Sequence, residues 1–239
     1  AVWDSRRGGF REPAQRGGRR RSGEPAPGPE LPPGVYTATV TFRDQNAATT
    51  FTVWPDPRSA NSPADWARRQ AAIERIGRLQ ETAAAAADQL ADARADVETV
   101  MERVRAAEIR RLKAERVEPE EGKLAELPLV KNGRALKTRL EEMERRFHQP
   151  PGTVGIVGGV RVMERIGKAM GAVTSSWAPP SPSHEAYITE AERLLAPALE
   201  ALNALMAGEV AAFRRAVAQA DIVLLPPPQP LAMPAPEGR

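Results

Sequence analysis

The fold is decided by one long stretch, residues 62–107, which reads SPADWARRQAAIERIGRLQETAAAAADQLADARADVETVMERVRAA. Its beginning is a helix start signal, because Ser62 can cap the first turn, Pro63 suits the first helical position, and Asp65 follows three residues after the cap. Apolar residues then recur at alternating steps of four and three, at positions 72, 76, 79, 83, 86, 90, 93, 97, 100, 104 and 107. This spacing predicts a helix over about 63–117 with one apolar stripe that must be buried.

Three further helices are predicted over residues 134–148, about 157–173 and 183–220, each with one apolar face. The residues expected on these faces are Leu136, Leu140, Met143 and Phe147 in the first helix, Val160, Met163, Ile166 and Met170 in the second, and Leu195, Leu199, Leu202, Met206, Val210, Phe213 and Val217 in the third. Residues 119–133 are expected to form a loop or a short broken piece, and residues 177–183 a linker rich in proline and serine.

Apolar stripes on several helices must be buried against one another or against a partner. An elongated antiparallel bundle of three to four helices within one chain is the first interpretation. The alternative is a parallel dimeric coiled coil through residues 72–107, in which the seam alanines permit close approach but weaken a dimer that stands alone. The sequence therefore predicts a mainly α-helical fold and leaves the oligomeric state open.

Two runs of β-branched and aromatic residues, 35–42 (VYTATVTF) and 47–54 (AATTFTVW), predict a β-hairpin with its turn at 43–46. One face of the first strand is apolar and is expected to face a core: Tyr36, Ala38, Val40 and Phe42. Because a two-stranded hairpin is at best marginally stable in water, this sheet needs further strands. Residues 1–3 are a candidate strand, and the other strands are expected upstream of Ala1, in a chain that we expect to be processed or truncated.

Composition limits the chemistry available to the chain. It has no cysteine, which excludes a disulfide scaffold, thiolate zinc sites and cysteine nucleophiles. Its two histidines, His148 and His184, lie at predicted helix ends, where solvated or capping roles are expected. The glycines of residues 152–159, GTVGIVGG, lack the spacing of a phosphate-binding loop. No catalytic residue, cofactor or metal is therefore expected, and no apolar run predicts a membrane span.

Positive charge is concentrated near the N-terminus, in residues 6–23, RRGGFREPAQRGGRRRSG. Arginines and an aromatic ring can bind single-stranded nucleic acid through phosphate contacts and stacking. The candidate contacts are Arg6, Arg7, Phe10, Arg11, Arg16, Arg19, Arg20 and Arg21. Two Arg-Gly-Gly steps with one phenylalanine do not make a repeat array, so a long solvated surface loop between two strands is the competing interpretation.

A set of strand motifs runs from Val2-Trp3-Asp4 through residues 31–40 (LPPGVYTATV) and 51–53 (FTV) to Asp56-Pro57-Arg58. In these motifs the chain resembles the C-terminal region of bacterial secreted sortilin-like β-propeller proteins, often labelled glycosyl hydrolases or BNR/sialidase-like repeat proteins. The resemblance implies a small Ig-like sandwich followed by a helical tail. It also implies that a propeller carrying any catalytic residues lies outside this chain, and that the protein is secreted or belongs to the periplasm or cell envelope.

The sequence thus predicts a partial Ig-like β-sandwich over 1–58 with an Arg/Gly/Pro-rich loop at 5–33, a helical bundle over 59–222, and a Pro-rich tail over 223–239. We expect a non-catalytic C-terminal module that supports an upstream propeller or docks protein partners. A nucleic-acid-binding adaptor using residues 6–21 is the alternative. A third reading, in which the whole polypeptide is a glycosyl hydrolase-like enzyme with its active site outside this chain, also stays open.

Overall fold

A computed structural model describes residues 5–13, 27–149 and 160–220, and these are mostly helical. The helices are α1 (Pro63–Ala114), α2 (Glu121–Glu126), α3 (Pro128–Phe147), α4 (Val162–Thr174), α5 (Pro182–Leu205) and α6 (Ala211–Gln219), with a π-helical segment, Met206–Val210, between α5 and α6. The strands are β1 (Arg6–Gly8), β2 (Pro27–Glu30), β3 (Gly34–Phe42) and β4 (Gln45–Val53). The prediction of a mainly helical chain that also contains a β-hairpin is confirmed.

Contacts divide the chain into two compact units. Of the described residues, the first unit contains 5–13, 27–92, 140–149 and 160–205, and the second contains 93–139 and 206–220. Helices α1 and α3 each contribute one part to each unit. The predicted tail 223–239, the candidate strand 1–3 and the glycine run 152–159 lie outside the described residues.

Both ends of α1 follow from local hydrogen bonding. At its start the Ser62 N–H donates to the Asp65 carboxylate at 2.9 Å, and the Asp65 N–H donates to Ser62 Oγ at 3.2 Å, which is a reciprocal capping box. At its end Arg116 takes a left-handed φ of 58°, and the Val117 N–H donates to the Leu112 carbonyl at 2.8 Å. This is a Schellman ending, and it stops the helix slightly before the predicted residue 117.

The core of the first unit is made of alanine and aliphatic side chains with few aromatic rings. Its fully buried members include Ile73, Ile76, Ala83, Ala84 and Leu90 of α1, Leu140 and Phe147 of α3, Ala169 of α4, and Ile188 and Ala191 of α5. The first half of the predicted α1 stripe is thus covered within one chain. The stripe positions after residue 97 are only half-buried, so burial along this helix is uneven.

Two helix predictions need correction. Of the two alternatives for residues 119–133, the short α2 fits the broken piece, but α3 begins at Pro128, before the predicted residue 134, with Pro128 at the favoured first helical position and Val130 fully buried. Helix α4 begins at Val162, so Val160 precedes it and is 51% exposed. The buried face of α4 is Val162, Ile166, Ala169 and Val173, a stripe rotated from the predicted one.

The four strands form two separate antiparallel pairs. In the hairpin, Gly34 pairs with Val53 and Phe42 with Gln45, which leaves a turn of only two residues, with Arg43 at a left-handed φ of 53°. Strands β1 and β2 pair within residues 5–33, which were predicted to be a loop. The loop prediction is therefore wrong near both ends of this range, where β1 and β2 form. Proline is tolerated in β2 because each strand of a two-stranded ribbon is an edge strand.

The helical run Pro182–Gln219 has the length and composition of a membrane-spanning helix, with a mean hydropathy of 1.3 over an 18-residue window that is 22% buried. The sequence prediction of no span overlooked this run because charged residues interrupt it. The core helix of a protein that never enters a membrane can have the same length and composition, so one such run is weak evidence for a membrane location.

Candidate interaction surfaces

The hairpin carries an apolar face that is covered only at its base. Tyr36 and Phe51 lie there, half-buried, with their ring centroids 5.9 Å apart. The Tyr36 hydroxyl donates to the Pro32 carbonyl at 2.7 Å, and burial raises the pKa of Tyr36. This end of the hairpin behaves as the predicted core face.

The outer half of the same face is open. Val40 and Phe42 are each 67% exposed, and Ala38 between them and the base is exposed as well. In the part of the chain that the structure describes, no strand other than β3 and β4 joins this sheet. The prediction of a core-facing strand is therefore wrong for the outer half, since nothing described covers it. The opposite face carries threonines, as expected for a solvated face.

A second apolar surface lies where the hairpin meets the start of α1. A groove of about 530 Å³ runs between the two and is lined by proline, valine and tryptophan side chains, among them Pro32, Val53, Trp54 and Trp66. Trp54 is 80% exposed, whereas Trp66 is almost fully buried. The groove therefore forms a separate apolar surface at the base of the hairpin, next to the first helix.

The linker between α4 and α5 is fastened to the first turns of α1. The Trp177 ring packs edge-on against Trp66 at 5.4 Å, and Asn61 Nδ2 donates to the Trp177 carbonyl at 2.7 Å. Arg69 Nε donates to the Ser176 carbonyl at 2.9 Å. These contacts tie the α4–α5 linker to the start of α1.

The Arg/Gly-rich segment lies against α1 at its described end. The Phe10 ring sits directly on the helix backbone at Gly77, where any side chain would overlap it. Arg7 pairs with Glu74 at 3.3 Å, and Arg11 pairs with Asp88, which lies further along the same helix. An aromatic contact flanked by ion pairs thus attaches this segment to the helix.

The structure brings together four of the eight candidate nucleic-acid contacts. Arg6 binds Glu30 at 3.1 Å, and the Arg7 guanidinium also lies 4.5 Å from the centre of the Phe10 ring. All three arginines near Phe10 are therefore paired with carboxylates of this chain. The other four candidates, Arg16, Arg19, Arg20 and Arg21, lie outside the described residues. Sequence reasoning missed this attachment, although Gly77 in the interior of the predicted helix was a usable signal for a close approach.

The two histidines have structural partners. The Ser181 N–H faces His184 Nδ1 at 3.4 Å and the His184 N–H donates to Ser181 Oγ at 3.3 Å, so His184 belongs to the cap of α5, as predicted. His148 Nε2 lies 3.5 Å from a Glu144 carboxylate oxygen at the end of α3. Within the described ranges, no three histidine, aspartate or glutamate side chains are grouped so as to hold a metal ion.

Comparisons with protein-family models, with curated proteins and with solved structures found no match to this chain. The resemblance to sortilin-like propeller proteins therefore stays a prediction. Inferences about function have to start from the surfaces themselves, namely the open hairpin face, the groove at its base and the attached Arg/Gly-rich segment.

Proposed function

We propose that this chain is a non-catalytic structural and interaction module whose helical bundle holds the β3–β4 hairpin ready to complete an Ig-like sandwich. The observation that carries the proposal is the open outer half of the hairpin, where Val40 and Phe42 are each 67% exposed. A sheet with one threonine face and one apolar face is the kind that packs its apolar face on a second sheet.

The free energy of burying apolar surface favours a partner that covers the open face of the hairpin. A two-stranded ribbon is at best marginal in water, and its unpaired edges invite further strands. Burial of a valine or phenylalanine side chain contributes about 1.5–3 kcal/mol, so covering Val40 and Phe42 would stabilise the complex substantially. The hydrogen bond from the Tyr36 hydroxyl to the Pro32 carbonyl orders the base of the hairpin locally, which lowers the ordering entropy that docking must overcome.

The occupant we propose is a β-rich region of the same polypeptide, with strands that lie beside β3 and β4. The motifs at 31–40, 51–53 and 56–58, by which the chain resembles sortilin-like propeller proteins, support this choice. From the same resemblance we also propose that an upstream propeller is the main partner and that the protein is secreted or located in the periplasm or cell envelope. A hydrolase activity, if the whole polypeptide has one, would reside in that upstream region.

A nucleic-acid-binding adaptor is the weaker proposal. Phosphate binding needs arginines that are free to replace counterions, and Arg6, Arg7 and Arg11 already pair with carboxylates. Residues 27–220 hold no excess of positive charge that would extend such a site.

The proposal is tested by expressing the chain together with the residues encoded immediately upstream of Ala1. In that longer protein the double variant Val40→Thr, Phe42→Thr should lower the free energy of unfolding by about 3–5 kcal/mol, because two buried apolar side chains are lost. In the present chain the same variant should change it by less than about 0.5 kcal/mol, because both side chains are exposed.

The matched control is the double variant Thr39→Ser, Thr41→Ser on the opposite face. It should change the free energy of unfolding of either protein by no more than about 0.5 kcal/mol. A start codon close to Ala1, or equal effects of the double variant in the long and short proteins, would contradict the proposal.

A further inference from the structure

A cavity of about 370 Å³ lies in the first unit, between the β1–β2 ribbon and helices α1 and α4. Its volume falls at the lower end of the range of small-molecule sites. The side chains that give the cavity its chemical character are those of Arg6, Phe10, Glu30, Arg69, Gln80 and Met170. Charged, amide, aromatic and thioether groups therefore converge on one space that is large enough for a small organic compound.

Arg69 is the unusual member of this lining. Its side chain belongs to a residue that is only 7% exposed. Nε is used by the Ser176 carbonyl at 2.9 Å, and the guanidinium carbon lies 5.1 Å from the centre of the Trp177 ring. Among the described residues, no hydrogen bond or ion pair reaches Nη1 or Nη2. The guanidinium is thus held in place through Nε and the Trp177 ring, while Nη1 and Nη2 have no acceptor in the described part of the chain and keep contact with solvent at the wall of the cavity.

A guanidinium that has lost most of its water and has no carboxylate in hydrogen-bond contact gains from an anionic acceptor. Burial accordingly lowers the pKa of Arg69, and the charge of Glu30 offsets this only in part. Glu30 is itself paired with Arg6 at 3.1 Å, and Arg6 also donates to the Gly28 carbonyl at 3.2 Å. The one nearby carboxylate that acts on Arg69 is therefore already engaged.

The charges of the cavity select the kind of anion. Arg6 and Arg69 supply two positive charges, and Glu12 and Glu30, which also line it, supply two negative ones. A dianion such as phosphate would face two carboxylates. A carboxylate carries a single charge, and its planar geometry matches the paired N–H donors of one guanidinium.

We propose that this cavity binds the carboxylate of a small organic acid, with Nη1 and Nη2 of Arg69 as the donors. Phe10 and Met170 contact the apolar body of the ligand, and the Gln80 amide lies at the same wall. The site is independent of the hairpin surface, and it gives the Arg/Gly-rich segment a second role, because β1 and Phe10 form one wall of the cavity.

Calorimetric titration of the full chain with sodium benzoate tests the assignment, with inorganic phosphate and benzamide as matched probes at constant ionic strength. Benzoate should bind saturably at one site, and phosphate and uncharged benzamide should each bind at least tenfold more weakly. Absence of saturable benzoate binding, or phosphate binding as tight as benzoate binding, would overturn the proposal.

Substitutions at Arg69 and Thr174, with Arg75→Met as a control, test whether benzoate binds in this cavity. Arg69→Met should weaken benzoate binding at least tenfold, whereas Arg75→Met, which removes a neighbouring arginine paired with Glu192 at 2.6 Å outside the cavity, should change it less than twofold. Thr174→Trp tests the site even if Arg69→Met does not fold. Thr174 is exposed at the rim of the cavity, so a tryptophan there should fill the cavity without disturbing the core. Undiminished benzoate binding by Thr174→Trp would refute the site.

Discussion

At the scale of single residues, Gly77 shows how one missing side chain shapes the first unit. A methyl group there would overlap the Phe10 ring. Ala would otherwise stabilise a helix by about 1 kcal/mol relative to Gly. We therefore expect Gly77→Ala to displace Phe10 and to raise hydrogen exchange in residues 6–10, with little or no net gain in stability.

Gly171 provides the matched control, because a methyl group on this α4 residue meets no atom within 4 Å. Gly171→Ala should raise the free energy of unfolding by about 0.5–1 kcal/mol and leave exchange in residues 6–10 unchanged. If Gly77→Ala stabilised the protein as much as Gly171→Ala without affecting the β1 segment, the packing of Phe10 on α1 would be wrong.

The cap of α1 makes a second prediction at this scale. Hydrogen bonds from Ser62, then from Arg68, lower the pKa of Asp65 from its usual 3.8 to about 2. A lowered folded-state pKa contributes stability that is fully present above about pH 4 and is lost as the pH falls toward 2. Ser62→Ala should move the pKa of Asp65 back toward 3.8 in a carboxyl-detected NMR titration.

Arg68→Gln should shift the same titration less than Ser62→Ala does, because the hydrogen bond from the Ser62 hydroxyl has the larger effect on the pKa. An Asp65 carboxyl that titrates near pH 4 in the unaltered chain would show that the capping box is not formed in solution.

At the scale of elements, the uneven burial of α1 has a measurable consequence. Ile76 is fully buried, whereas Val104, on the same stripe, is only half-buried. Ile76→Ala should cost about 2–5 kcal/mol in urea-induced unfolding, the usual range for a core position. Val104→Ala should cost about 1 kcal/mol or less, and equal losses at the two positions would contradict the burial described for α1.

Elements with strong local signals could be predicted from the sequence. The capping box at Ser62, the long stripe that begins at Ala72 and the β-branched runs of the hairpin each indicate their element without help from the rest of the fold. The early start of α3 could not be foreseen, since Pro128 reads as a breaker unless it stands at the first helical turn. The α4 stripe was misplaced because Ala169, a weakly apolar residue, lies on the buried face.

The candidate surfaces were less predictable than the elements, because they depend on contacts between distant segments. The arginines of the N-terminal segment were recognised as charged, but the carboxylate partners of Arg7 and Arg11 lie about 70 residues away on α1. The placement of Arg69 has no sequence signature, since it depends on the positions of Ser176 and Trp177. Composition alone cannot show which charges are already neutralised.

At the scale of the whole molecule, the two units present different kinds of surface. The first has a close-packed aliphatic core and carries the hairpin, the groove and the Arg69 cavity. In the second, Val97, Leu124, Val130 and Leu136 are the buried apolar side chains, and α6 has none. The first unit is therefore the one that carries the candidate interaction surfaces, and Val40, Phe42 and Trp54 are among its exposed large apolar side chains.

The measurement that tests this account most directly is amide hydrogen exchange of β3 and β4, compared between the present chain and the protein extended by its upstream residues. The account predicts that amides around Val40 and Phe42 exchange at least tenfold more slowly in the extended protein, because added strands and a covering sheet protect them. Equal exchange rates in the two proteins would show that nothing docks on the hairpin and would contradict its role as the completing edge of a sandwich.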